Sequence, residues 1–151
     1  MIPNKCGICI ATKLPNSNKI KKFNKNDVLV SNIRPYFKKI WLADFDGGCS
    51  NDVLVFRAKK NIIPKFLYYA LSSDEFFNYA TLTSKGTRMP RGDKKAIMKY
   101  HIPNFSSKDQ KKISSILSFL DGKIEVNKKI NHSLIYCFLW FSCLTYSSVA
   151  N

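Results

Sequence analysis

The sequence lacks the signatures of a self-contained catalyst. It holds no G-x-S-x-G elbow, no P-loop and no G-x-G-x-x-G turn. No compact nuclease or methyltransferase signature takes their place. Cys6-Gly7-Ile8-Cys9 is a lone C-x-x-C. A zinc site needs four ligands, usually two such pairs, and Cys49, His101 and His132 are scattered singles. The pair therefore reads as small residues near a strand, and no thioredoxin-like order follows it to suggest redox work. His101, beside Ile102-Pro103, reads as a packed residue. The five cysteines, at 6, 9, 49, 137 and 143, are odd in number. The first residues, Met-Ile-Pro-Asn-Lys, form no apolar leader. Both features argue against a secreted disulfide scaffold and for the cytoplasm. Residues 134–149 are uncharged, yet short of the ~20 apolar residues a spanning helix needs. No membrane partner is expected.

Acid and arginine are also scarce. The 151 residues hold 10 Asp and Glu against 25 Lys and Arg, a formal net charge of +15. Only Arg34, Arg57, Arg88 and Arg91 are arginines. The length suits one domain with a modest appendage. The 45% hydrophobic content supplies a core, which excludes a disordered polybasic tail. Lysine dominance alongside many Asn and Ile fits the codon usage of an AT-rich genome. The distribution of charge argues for function. Residues 1–40 carry nine bases and one acid, and residues 85–112 nine bases and two acids. Between them the chain is close to neutral. Two separated basic blocks suit one face turned to a polyanion.

The pattern predicts strands at 27–31, 39–43 and 52–57, with Asp46-Gly47-Gly48 as a turn and 19–25 as a basic link. Pro64 opens a helix, and a second follows over 73–81 with Ser73 as N-cap. Residues 83–92 form a Gly/Pro-shaped loop, 94–98 a helical turn and 100–103 an extended segment. Ser107 and Gln110 have capping-box spacing ahead of a long helix. Ile113, Leu117, Leu120, Ile124, Asn127 and Asn131 follow +4/+3 steps, so they form a seam for helix pairing with polar members that set register. A plain amphipathic helix packed on its own domain accounts for much of the same pattern.

Two clusters carry the candidate chemistry. Arg34, Tyr36, Lys38 and Lys39 interleave bases with aromatics. Lys85, Thr87, Arg88 and Arg91 sit in the Gly/Pro loop. Lysine suits phosphate contacts, and the arginine fork suits guanine O6 and N7. These eight residues are the expected DNA contacts. The competing assignment is a small metal-dependent nuclease, or another basic DNA-binding protein, with Asp44, Asp46 or Asp52 on a divalent ion. Turn and strand chemistry account for those acids more simply.

The order of these motifs resembles a known family. Asn26-Asp27-Val28-Leu29-Val30-Ser31 is similar to a "G-D-V-L-x-S" strand. Gly86-Thr87-Arg88-Met89-Pro90-Arg91-Gly92-Asp93 precedes Ile102-Pro103, then Asp109-Gln110. Ile113, Ile116-Leu117, Leu120-Asp121, Lys123-Ile124 and Asn127 follow an "I-x-x-I-L-x-x-L-D-x-K-I-x-x-N" helix. Over roughly residues 20–133 this resembles the specificity (S) subunit of type I restriction–modification enzymes. The resemblance implies a mixed α/β (α+β) target-recognition domain over 1–105, with a small mixed sheet and short helices. A long scaffold helix over 106–135 follows. It implies no catalytic site, no metal and no cofactor in this chain. S-adenosylmethionine, ATP and Mg would serve the partner methyltransferase (M) and restriction (R) subunits. Double-stranded DNA and a second S half paired through the helix are the further partners implied. The chain departs from the family at Phe105, where a second proline is usual. It also has room for one recognition domain instead of two. Residues 136–151 replace the family's polar helix continuation with an aberrant or truncated hydrophobic tail. The chain is read as a half-subunit or a fragment.

Overall fold

The computed structural model describes residues 1–9 and 20–147, with side chains up to residue 135. The order is β1 (Lys21–Phe23), β2 (Val28–Ser31), a 3₁₀ turn (Pro35–Phe37), β3 (Ile40–Leu42), β4 (Gly47–Cys49), β5 (Val53–Phe56), α1 (Pro64–Leu71), α2 (Asp74–Leu82), α3 (Lys94–Ile97) and α4 (Ser107–Ser147). Two compact units result, Met1–Ser114 and Ser115–Asn151. The expected α+β architecture is present, and every strand pairing among the described residues is antiparallel.

β2 is the central strand of a sheet ordered β3-β2-β5. Its alternation supplies two cores. Val28 and Val30 turn one way with Ile40 and Leu54, and meet Leu67 and Leu71 of α1 and Phe76, Phe77 and Ala80 of α2. Leu29 turns the other way with Phe23 and Ala43, flanked by Trp41, Val53 and Val55. Period-two alternation covered on both faces explains why Val28, Leu29 and Val30 are all apolar. Phe76 and Phe77 are fully buried, and each contributes roughly 1.5–3 kcal/mol of transfer free energy.

Two sequence expectations need correction. The expected turn at Asp46-Gly47-Gly48 is the start of β4, which pairs with β1 in the expected basic link (Phe23↔Gly47, Lys22↔Gly48). A Cβ on Gly47 would lie 2.7 Å from the Phe23 ring, so glycine here permits close strand approach. The segment 100–103 is neither helix nor paired strand, and Tyr100 packs edge-on against Phe76, with ring centroids 5.2 Å apart. The N-cap of α4 is Ser106. Its Oγ accepts from Asp109 N at 3.2 Å and donates to the Asp109 carboxylate at 2.6 Å, so the cap lies one residue before the expected Ser107. Ser73 caps α2 as expected, accepting from Phe76 N at 3.2 Å.

Gln110 has a different task from capping. It is 1% exposed. Its Nε2 donates to Asn61 O at 3.1 Å and Phe105 O at 2.9 Å, and its Oε1 accepts from Ile63 N at 2.9 Å. The amide thus ties the first turn of α4 to the backbone entering α1. Beyond Ser114, α4 leaves its apolar residues open. Leu120 and Ile124 are 49% and 51% exposed, and Asn127 and Asn131 are exposed with them. Ile113 and Leu117 are half-buried. Ile116, Phe119, Val126 and Ile130 are also exposed, so the open apolar surface is wider than the expected seam. The expectation of an aberrant tail over 136–151 concerns side chains outside the described residues. No helix among the described residues is long and apolar enough to cross a membrane.

Candidate nucleic-acid interface

The loop between α2 and α3 closes on itself. Lys85 N donates to Arg91 O, and Arg91 N to Lys85 O, both at 2.9 Å. Gly86 makes the turn at φ 99°, a conformation that favours glycine. Thr87, Arg88 and Met89 project from the tip and are exposed. Asp93 caps α3 immediately behind, accepting from Lys95 N at 2.9 Å and Ala96 N at 3.3 Å.

This hairpin is tied to the connection between β2 and β3. Ile33 bridges Arg91, Arg34 N donates to Pro90 O at 2.8 Å, and Gly92 N donates to Asn32 O at 3.1 Å. A Cβ on Gly92 would lie 2.6 Å from the Ile97 Cδ1 and 2.9 Å from the Asn32 Oδ1, so any larger residue here must displace one of those side chains. The two basic clusters are thereby brought together.

The second cluster is held in strained backbone. Arg34 and Lys38 both have left-handed conformations, at φ 50° and 49°, either side of the 3₁₀ turn. Each costs roughly 1–2 kcal/mol for a residue with a side chain. The surroundings over-determine the turn. Phe37 O and Lys38 O accept from Asn4 N and Lys5 N at 2.9 and 3.0 Å, and Lys39 O accepts from Ser31 N at 3.0 Å. Tyr36 and Phe37 are exposed, 4.7 Å apart between ring centroids. The Lys39 ammonium lies 5.7 Å from the Phe37 ring centre, within cation–π range.

Acids hold several of the expected contact residues. Lys38 and Lys5 share Asp74 Oδ1, at 3.0 and 2.8 Å. Lys5 first and then Lys38 pull the Asp74 carboxyl down to about 2. Lys85 lies 3.2 Å from Asp93 and, with the α3 amides, holds that carboxyl below its usual range. Arg91 grips Asp52 through Nε at 3.1 Å and Nη2 at 3.4 Å. Among the described residues no ion pair engages Arg34, Lys39 or Arg88.

Sequence reasoning missed Lys5, Asp74, Asp93 and Asn32 as supports. Only Asp93 carried a readable signal, an Asx residue just before the expected helical turn at 94–98. Two of the three acids of the nuclease assignment are engaged: Asp46 accepts from Lys25 N at 2.6 Å and Asp52 pairs with Arg91, while Asp44 is exposed. Among the described residues no three His, Cys, Asp or Glu could hold a metal ion. Cys6 and Cys9 are exposed free thiols. His101, expected to be packed, is exposed on an open cleft beside Tyr79 and Tyr100.

Comparison with known proteins places the chain in a family. A family model described as the type I restriction modification DNA specificity domain matches residues 7–135. The HindI specificity subunit of Haemophilus influenzae is 32% identical over 137 residues, covering 85% of this chain and 29% of that protein. The EcoDI specificity subunit of Escherichia coli is 25% identical over 117 residues, covering 75% of this chain and 25% of that protein. The solved HsdS subunit from Thermoanaerobacter tengcongensis superposes with a TM-score of 0.60 at 26% identity, over 72% of this chain and 29% of that one. The chain thus spans less than a third of the length of these relatives.

Proposed function

The chain belongs to the family of type I restriction–modification DNA specificity domains, and we propose that it reads one half of a bipartite DNA target. The observation that carries this reading is the backbone junction of the two basic clusters, Arg34 N to Pro90 O and Ile33 to Arg91. It sets two basic segments that lie far apart in sequence side by side. Lys38, Lys39 and Lys85 hold phosphates there, which positions the duplex without reading it. Arg34, Thr87, Arg88 and Arg91 face base edges, and Tyr36 offers an aromatic face. Residues 1–105 act as the recognition domain and 106–135 as the scaffold helix. That helix pairs with a second specificity half and recruits methyltransferase and restriction subunits. The chain itself is non-catalytic and works in the cytoplasm.

Co-expression with the methyltransferase subunits and genome-wide mapping of methylated adenine tests this reading. A single bipartite motif is expected. Arg88→Ala should relax one position in one half of it, at a cost of roughly 1–3 kcal/mol if the fork pairs with guanine. If substitutions at Arg88, Arg91 and Lys39 all leave both the motif and DNA affinity unchanged, the DNA face lies elsewhere.

A further inference from the structure

We propose that Asp52 is a positioning residue for base reading, fixing the Arg91 fork so that its free edge meets a single guanine. The inference rests on the DNA-reading role proposed above.

Both partners grow from fixed backbone. Arg91 is pinned through its own N–H and C=O by Lys85 at the hairpin base. Asp52 stands just before β5, and its carbonyl accepts from Asn32 N at 2.8 Å. Asp52 takes the Nε–H and one Nη2–H of Arg91. The guanidinium carries five N–H donors in a rigid plane. Three therefore remain, two on Nη1 and one on Nη2, and one from each nitrogen lines the adjoining end of the fork. That end has the spacing that pairs bidentately with guanine O6 and N7. Arg91 is 52% exposed and Asp52 40%, so the pair is open to a duplex. As a simple surface ion pair it would stabilise the fold little. Its use lies in removing rotamer freedom before DNA arrives. Asp52 also cancels the charge of Arg91 for any phosphate, which biases this arginine away from non-specific binding.

The substitution Asp52→Ala therefore has two opposite effects. It should cut discrimination at one base pair roughly 10- to 100-fold, at the same position that Arg91→Ala relaxes. It should also raise affinity for duplex of random sequence, because one acid leaves the surface. Arg91→Lys keeps the charge and loses the fork, so it should relax the same position while random-sequence affinity holds. The measurements are methylated-adenine mapping and random-duplex binding, on the full chain assembled with its methyltransferase subunits. Asp52→Asn carries the test should Asp52→Ala fail to fold, since it keeps the shape and drops the charge. An unchanged motif in the folded Asp52 variants, or relaxation at a position different from that of Arg91→Ala, overturns the inference. If Lys39→Ala still weakens DNA binding in that case, the DNA face survives and only the role of Asp52 fails. If Lys39, Arg88 and Arg91 variants also bind and methylate as before, the DNA face falls with it.

Discussion

Asp27 shows how one residue holds the sheet to its neighbours. It is 2% exposed, yet it is a carboxylate. Arg57 grips it through Nε at 2.8 Å and Nη2 at 2.7 Å, and Asn24 N donates to it at 2.8 Å. The Arg57 bonds first, and then the Asn24 N–H, hold its carboxyl below the usual range against the opposing effect of burial. Arg57→Ala leaves a buried charge with one backbone donor, which should cost on the order of 2–4 kcal/mol at neutral pH. Asp27→Asn should cost less, because the arginine left behind is largely exposed. The sign of the pH dependence follows from the depressed pKa. The stabilisation by Asp27 is complete above the unfolded carboxyl pKa, and it is lost as pH falls through the lower folded value. The gap between the wild-type chain and Arg57→Ala should therefore close in acid, read by urea denaturation from pH 7 down to about 3. A gap that stays constant over that range would show that Arg57 acts by packing alone.

At the scale of elements, α4 has one end that is locked and a long stretch that is open. Gln110→Ala removes three bonds at once and leaves Ile63 N–H, Asn61 O and Phe105 O without the partner they had. Buried groups stripped of partners cost roughly 1–3 kcal/mol each where water cannot reach them. The variant should lose a few kcal/mol and expose the 100–106 segment to protease, and unchanged proteolysis would count against the clamp. Leu120 makes the opposite case. It is half exposed in the single chain, so Leu120→Asp should barely move the melting temperature. In a paired helix the same charge sits in an apolar seam at a cost of several kcal/mol. Co-purification with partner subunits should then be lost, and normal co-purification with normal melting would rule the seam out. The sequence announced α4 through its +4/+3 steps, and β2, β3 and β5 through short apolar runs rich in β-branched and aromatic residues. It hid β1 and β4, because Lys21-Lys22-Phe23 and Gly47-Gly48-Cys49 have poor strand propensity and pair only through tertiary contact. The N-cap of α4 falls one residue before the expected Ser107. Ser106 and Ser107 are adjacent, and only burial shows that Gln110 points inward.

At the scale of the whole molecule, the two basic blocks were legible as charge, and their junction was not. The bonds that join them run from Arg34 N to Pro90 O and from Gly92 N to Asn32 O; backbone bonds leave little mark on side-chain identity. The acids that modulate the surface were equally hidden, since Asp52 and Asp74 lie far in sequence from the bases they hold. That pairing has a measurable consequence for DNA binding. Asp74 restrains Lys5 and Lys38 on one oxygen, while no ion pair among the described residues restrains Lys39. Each lysine on a phosphate releases counterions and steepens the fall of log affinity with log salt by about one unit. Lys39→Ala should therefore flatten that slope by roughly one unit and weaken binding to every sequence alike. Asp74→Asn should do the reverse, because it frees two ammonium groups for phosphates, so affinity should rise most at low salt. The recognised motif should stay the same in both variants, since neither residue meets a base edge. The assembled complex, titrated on random duplex from about 50 to 200 mM salt, gives the slopes. If Asp74→Asn leaves the slope unchanged while Lys39→Ala flattens it, Lys5 and Lys38 do not reach the phosphates, and the interface narrows to Lys39 and the hairpin tip.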